Sequence, residues 1–443
     1  MELSALSKIY KEAGVVGAGG AGFPTYAKLN SNAQTILLNC AECEPLLRLH
    51  RQLLKFHAPE IVSAFEETRK SVGAAEGIVC IKDHYKGAIE AVTALLPEYP
   101  SLKIKILSRV YPAGDEVMLI YDATGKVVRP GGLPIECGVA VFNVETMYNA
   151  YHAIKGEPLY SKLVTIAGEV KEPKTLRLPL GAKLSEAIKL VGGETIKDYV
   201  YWVGGPMMGR IASPNESVTK TTNSVFVFPS DCFVVGKSRS DVKIEMARAA
   251  ASCCQCRSCT EMCPRYNIGH PIEPHKIMRA AACNDFSDTS AFLNTFYCSG
   301  CGVCEMYACP QGLSPRKLVQ TVKNALRANG IRPPKDVKSE PVNPMRDYRR
   351  VPLERLVSRL GVKKYQTDAP LDNRLIDGFS EVNILCSQHI GAPAVPVVKV
   401  GDRVEQGQLV AKAAEGLSVN IHSSVKGLVT DVTPKQITIK RVD

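Results

Sequence analysis

Eight of the chain's sixteen cysteines form two spaced runs, and no other feature narrows the possible folds as much. The first reads Cys253-Cys-Gln-Cys256-Arg-Ser-Cys259-Thr-Glu-Met-Cys263-Pro264, the second Cys298-Ser-Gly-Cys301-Gly-Val-Cys304-Glu-Met-Tyr-Ala-Cys309-Pro310. Disulfides suit short secreted chains, but this one has 443 residues and a start, Met1 to Tyr10, without the basic and apolar regions of a secretory signal. No window of about 18 apolar residues occurs, so no membrane span is expected. The runs point to metal in a soluble, intracellular protein.

Both runs hold C-x2-C-x2-C and then a fourth cysteine before proline, the spacing of bacterial ferredoxins, with one extra residue in the second. Three thiolates two residues apart can wrap three corners of a [4Fe-4S] cube, whereas the fourth leaves in the wrong direction and binds the neighbouring cube. This pairs Cys253, Cys256 and Cys259 with Cys309, and Cys298, Cys301 and Cys304 with Cys263. Zinc sites use similar gaps, but as two separate C-x2-C knuckles, so two [4Fe-4S] clusters are favoured over paired zinc. Cys254 and Cys283 are spare thiols, and the remaining cysteines read as structural. Two one-electron carriers imply a wire that something must feed.

At 45% hydrophobic residues a chain of this length buries several cores, about three on the usual size prior. The net charge of +11 suits an anionic partner such as a nucleotide, a phosphate-bearing cofactor or an acidic protein, or describes a generally basic surface. No nucleic-acid partner is expected.

Up to about residue 157, β-type runs (Thr35 to Leu38, Gly77 to Ile81, Leu102 to Leu107) alternate with helical stretches (Ala58 to Ser71, Gly87 to Leu96), the α/β layered pattern. Residues 158–236 read as hairpin, helix, turn and further strand. Residues 237–332 carry the cysteine runs between helices. Prolines and charges mark 333–380 as a linker with one short amphipathic helix, Leu353 to Leu360. Residues 381–443 hold short paired strands.

The segment Gly14-Val-Val-Gly-Ala-Gly-Gly-Ala-Gly-Phe-Pro-Thr25 contains Gly17-x-Gly19-x-x-Gly22, the spacing of a dinucleotide-binding turn. Glu42 and Glu44 stand about where that fingerprint needs an acid. The preceding Leu3-x-x-Leu6-x-x-Ile9 has helical spacing, however, and Phe23-Pro24 interrupts the required helix start. A nicotinamide fold, a structural turn and another phosphate-cradling loop all remain open on spacing alone.

The glycine string, Lys28, Asn39-Cys-Ala-Glu-Cys-Glu-Pro45, Tyr111-Pro-Ala-Gly-Asp-Glu116 and Asn143-Val-Glu-Thr146 together resemble the flavin site of the NADH-oxidising subunit of respiratory complex I and its relatives. Residues 158–236 resemble a soluble-ligand-binding β-grasp (SLBB) module, and 381–443 the barrel-sandwich hybrid of biotinyl and lipoyl carriers. The tip Ala414 to Asn420 lacks the carrier lysine, so a docking role is expected rather than a swinging arm. Nearly the whole chain is similar to the RnfC subunits of ion-pumping Rnf complexes and to the PduS-type cobalamin reductases of bacterial microcompartments. The C-terminal position of the barrel-sandwich segment brings it nearer the reductases. The implied fold is multidomain α/β: a flavin-binding α/β domain, an SLBB β-grasp module, a helical two-[4Fe-4S] ferredoxin-like domain and a C-terminal β barrel-sandwich hybrid.

The resemblance implies FMN held over the backbone of Gly17, Gly19, Gly20 and Gly22, with Lys28 countering the phosphate. Asn39, Glu42 and Glu44 would bind the ribityl chain or the nicotinamide side, and Tyr111, Gly114, Asp115, Glu116, Asn143 and Thr146 would complete the pocket. The complex I relatives carry Gly-Glu-Glu where this chain has Gly114-Asp115-Glu116, which leaves the nicotinamide contacts less secure. Electrons would pass from NADH through FMN and both clusters to cobalamin, taking cob(III)alamin to cob(II)alamin. No D-x-H-x-x-G corrinoid motif occurs, so cobalamin would be a visiting substrate. A corrinoid adenosyltransferase and microcompartment shell or enzyme proteins are the implied partners, with a cytoplasmic location inside or attached to a microcompartment. The alternatives are an Rnf-like electron-transfer subunit and a noncatalytic scaffold with structural clusters. The amphipathic start Glu2 to Glu12 is either an encapsulation signal or the first helix of the flavin domain.

Overall fold

Ile36-Leu37-Leu38 is continuously apolar because the strand it lies in is covered on both faces. In the computed structural model, which describes residues 1–442, Thr35–Cys40 lies inside a parallel sheet with strand order Leu102–Leu107, Glu76–Lys82, Thr35–Cys40, Val139–Asn143. Ile36 and Leu38 enter a core with helices Leu3–Glu12, Leu49–Phe56, Ala58–Val72 and Val144–Ile154. Leu37 points the other way, onto helix Glu116–Thr124. Leu6 and Tyr10 are fully buried in the first of these cores, and the Tyr10 hydroxyl hydrogen-bonds Thr68 Oγ1 at 2.9 Å. The amphipathic start is therefore the first helix of the flavin unit.

The second unit is a sheet of six strands, in order Leu371–Leu375, Lys174–Pro179, Ser161–Gly168, Ser224–Pro229, Tyr199–Val203, Arg210–Ala212, with helix Leu184–Lys189 against it. The cysteine runs follow among helices Val242–Ser252, Pro274–Cys283 and Pro315–Ala328. The last unit pairs two small sheets, one of four strands and one of three. Its inward residues Val382, Val410, Ile421 and Ile439 share one core with Ile166, Leu178 and Val225 of the β-grasp sheet. Asp443, the end of the expected C-terminal domain, lies outside the described residues.

The stretch 333–380 carries the expected helix, Leu353–Arg359, but it is a strap rather than a linker. Val351–Pro352 pairs with Val110–Tyr111 of the flavin unit, and Leu371–Leu375 adds an edge strand to the β-grasp sheet. Leu353, Leu356, Val357 and Leu360 form the apolar stripe of the helix and pack on Tyr111, Trp202, Phe228 and Met306. Prolines and exposed charges disguise it in the sequence, because the surfaces that cover the stripe lie far away along the chain. Leu356 is fully buried, so Leu356→Ala is expected to cost about 3 kcal/mol of unfolding free energy. A urea-melt loss near zero would restore the linker description.

Candidate functional site

The glycine loop is a closed hairpin-like turn. Val16 and Pro24 form an antiparallel bridge, and Gly17 N–H donates to the Phe23 carbonyl at 2.9 Å. Gly20 and Gly22 take positive φ, a conformation that costs little only because neither carries a side chain. No helix of the dinucleotide type starts at these glycines. Instead Ala18 N–H donates to Thr146 Oγ1 at 2.9 Å, which seats the loop over the start of helix Val144–Ile154, whose N-cap is Asn143. From behind, buried Lys220 donates to the carbonyls of Gly14 (2.8 Å) and Asn420 (3.0 Å), and Ile390 N–H donates to the Gly22 carbonyl. Burial without a carboxylate partner brings the Lys220 ammonium down to about 7. The lysine-free hairpin tip Ala414 to Asn420 thus docks on the flavin unit beside the loop, where the Tyr26 hydroxyl donates to the Gly416 carbonyl.

In front of the loop is a cavity of about 450 Å³. Gly17, Gly19, Gly20, Lys28, Asn39, Glu42, Glu44, Tyr111, Gly114, Asp115, Glu116 and Asn143 all line it; Gly22 and Thr146 do not, and act on the loop from behind. The polar atoms Glu42 Oε2, Glu44 Oε1, His50 Nδ1 and Asn223 Oδ1 are buried without partners, and all four residues wall this cavity. Orphaned buried donors and acceptors are costly, so their convergence fits a polar ligand with several hydrogen-bonding groups, as a ribityl phosphate and flavin ring supply. His50 and Asn223 carry no sequence signal: neither stands in a recognisable motif, and Asn223 arrives from the β-grasp unit.

Several expected roles differ in detail. Lys28 Nζ is 3.2 Å from Glu116 Oε1, so its charge is already countered by that carboxylate. Asp115 N-caps helix Glu116–Thr124 and accepts both contacts of Arg265 Nη2 at 2.9 Å, which ties it to the cysteine unit rather than leaving it free for a nicotinamide. Glu42 Oε1 caps the start of helix Leu49–Phe56 through Leu49 N–H. Asn39 Nδ2 donates to the Gly114 carbonyl at 2.9 Å.

The two cysteine runs wrap in the same way. Gln255 and Arg257 in the first, and Gly300 and Gly302 in the second, are left-handed at equivalent positions of C-x2-C-x2-C. The first run adopts this shape without glycine, a strain of roughly 1–2 kcal/mol per residue that is tolerated where a site demands it. Cys253, Cys256, Cys259 and Cys309 line one small cavity with Met278 and Leu313, and Cys254 reaches it too. Burial, then the nearby Cys309, Cys256 and Cys253, push the Cys259 thiol up to about 12. In the second set, burial and then Cys301 and Cys298 push the Cys263 thiol up, and burial followed by Cys298, Cys301 and Cys263 does the same to Cys304. Amide donors aim at sulfur in both sets, from Gln320 Nε2 to Cys298 and from Leu313 N to Cys309. Among the described residues no three His, Cys, Asp or Glu side chains are close enough to hold a single metal ion, but four thiols around one cavity in the first set, four electrostatically coupled thiols in the second, left-handed turns and N–H donors suit the wider span of [4Fe-4S] cubes.

Ser299 and Cys301 also line the cavity in front of the glycines, and the Tyr111 hydroxyl donates to the Cys301 carbonyl at 2.7 Å. One cysteine set therefore abuts the cavity, while Cys256 of the other is exposed, as is the spare Cys254 beside it.

Burial pushes the Glu44 carboxyl up to about 7, against 4.5 in water. The folded protein keeps that proton over a range where the unfolded chain releases it. The Glu44 contribution is therefore intact below pH 4.5 and declines as pH rises to about 7. In the apoprotein, Glu44→Gln is expected to remove this decline; urea midpoints at about pH 5 and about pH 8 measure it, and equal slopes in both proteins would contradict it.

Four family descriptions match the chain in order: Nuo51 FMN-binding domain over residues 10–152, SLBB domain over 163–211, 4Fe-4S dicluster domain over 252–314 and RnfC barrel sandwich hybrid domain over 359–441. The last begins within the strap. The chain is 39% identical over 437 residues to cobalamin reductase PduS of Citrobacter freundii, covering 97% of this chain and 95% of that protein. Against cobalamin reductase PduS of Salmonella typhimurium it is 39% identical over 449 residues, covering 100% and 98%. One component of the Na(+)-translocating ferredoxin:NAD(+) oxidoreductase complex of Acetobacterium woodii is 32% identical over 270 residues, 60% of this chain and 58% of that one. A flavin domain, a dicluster domain and full-length similarity of this degree make the chain a member of the PduS family, within the wider group that includes RnfC and the flavin-binding component of complex I.

Proposed function

We propose that the chain is an NADH-dependent corrinoid reductase: NADH + 2 cob(III)alamin → NAD⁺ + H⁺ + 2 cob(II)alamin. The observation that carries this reading is the shared wall between the glycine-loop cavity and the second cysteine run, at Ser299 and Cys301. Bound FMN supplies a centre that accepts a hydride and gives up electrons singly, and bound [4Fe-4S] clusters supply one-electron carriers.

The chain's residues hold and order these centres. Gly17, Gly19 and Gly20 leave room for close approach, and Asn39, Glu42, Glu44, His50 and Asn223 offer hydrogen bonds around the cavity. Cys263, Cys298, Cys301 and Cys304 hold the inner cluster beside it. Cys253, Cys256, Cys259 and Cys309 hold the outer one, where exposed Cys254 and Cys256 mark the surface. Asp115 and Arg265 keep the cavity in register with Cys263. The proposed setting is cytoplasmic, inside or attached to a microcompartment, with a corrinoid adenosyltransferase and shell or enzyme proteins as partners. Among the described residues no helix is long and apolar enough to cross a membrane.

Anaerobic NADH titration of the purified holoprotein is expected to bleach the flavin, produce reduced-cluster EPR signals and convert added hydroxocobalamin to cob(II)alamin. Reduction of ferredoxin but not of cobalamin would favour an Rnf-like role, and no bleaching at all would leave the scaffold. Cys309→Ser is expected to lower iron from about eight to about four atoms per chain while the flavin is retained. His50→Ala and Asn223→Ala are each expected to weaken FMN binding about tenfold by equilibrium dialysis, with the iron content unchanged.

A further inference from the structure

The segment Cys304–Ala308 joins a cysteine of the inner set to Cys309 of the outer set, and its outer side faces an open groove. Tyr307, Ala308 and Pro310 form one wall of this groove, which measures about 990 Å³, and Met262, next to Cys263, lines it too. The opposite wall is the exposed side of helix Leu353–Arg359, whose apolar stripe is buried beneath it. The groove thus runs along both stretches of backbone, 260–262 and 305–308, that join one cysteine set to the other. Beyond Met262, Tyr307 and Arg355 it opens into an adjoining groove of about 880 Å³.

The charges of this groove are unbalanced in one direction. Of its carboxylates, Glu354 is held by Arg109 at 2.6 Å and Glu261 is paired by Arg349. Arg355, Arg359 and Lys363 line the same groove, and among the described residues their side chains enter no ion pair or hydrogen bond. Three unpaired cations beside two redox sites favour an acceptor that carries an anionic group. The volume is at the upper end for small-molecule sites, which suits a ligand much larger than a nucleotide base or a single ring.

We propose that this groove is where the corrinoid docks, with its nucleotide-loop phosphodiester against Arg355, Arg359 and Lys363 and its ring over the Met262 and Tyr307 side chains. The proposal rests on the corrinoid-reductase reading above and adds the location and the recognition chemistry. Each cob(III)alamin bound there takes one electron and leaves as cob(II)alamin, two turnovers consuming the electron pair of one NADH.

The test uses full-length holoprotein carrying Arg355→Glu, Arg359→Glu and Lys363→Glu together, all exposed positions outside the flavin cavity and the cysteine sets. The KM for aquacobalamin is expected to rise roughly tenfold or more with kcat little changed, while NADH bleaches the flavin at the wild-type rate. Cobinamide, which lacks the nucleotide loop and its phosphate, is expected to show a much smaller change in KM. An unchanged KM for aquacobalamin in a variant that still reduces it overturns the groove and leaves the reductase reading standing. A KM that rises only for an acidic ferredoxin overturns the corrinoid as occupant. A wild-type protein that bleaches with NADH yet leaves aquacobalamin oxidised overturns both.

Discussion

Tyr111, Trp202, Phe226, Phe228, Val303, Met306 and Leu356 form a core that belongs to no single domain. They come from the flavin unit, the β-grasp sheet, the second cysteine run and the strap, and each of those pieces is too small to cover its own apolar face. Burying that surface once, in common, presses the cysteine run against the glycine-loop cavity. The polar contacts at the seam then set the register: Asp115 to Arg265, Tyr111 to the Cys301 carbonyl, and Glu44 Oε2 accepting from Met207 N–H at 2.9 Å. Nonpolar association supplies most of the free energy, and the ion pair and hydrogen bonds choose one alignment out of many.

The same economy explains the C-terminal unit. Its two small sheets share a core with the β-grasp sheet, and its hairpin tip rests beside the glycine loop. Lys220 is the cost of that junction, an ammonium fully enclosed with only carbonyl partners. A module that in carrier proteins presents a lysine to solvent here braces the loop from behind. Gly14 and Gly22 must be glycine partly for this reason, since an added Cβ would meet Asn420 O at 2.4 Å in one case and Thr221 Cγ2 at 2.8 Å in the other.

Much of the fold is legible in the sequence because it is written in local periodicity. The strands at Thr35, Glu76 and Leu102 and the helices at Ala58 and Lys86 begin within a residue or so of where alternation and helical spacing put them. The strap is not legible in this way, because Leu353, Leu356 and Val357 signal a buried face without saying against what. Within the candidate site, the residues in recognisable strings nearly all line one cavity. His50 and Asn223 escape a reading of the sequence because a lone polar residue becomes informative only when its burial and its missing partner are seen.

The sequence alone determined the kinds of chemistry available. Cysteine spacing sets how a chain can wrap a metal cube, and glycines and apolar periods set local backbone shape, all of which depend on neighbours a few residues apart. Only the tertiary structure decided which cysteine set faces the glycine-loop cavity, that Asp115 belongs to Arg265, and that Lys28 is already paired with Glu116. These are contacts between residues tens to hundreds of positions apart, and they follow from which apolar faces are buried together, a quantity that no local stretch of sequence contains.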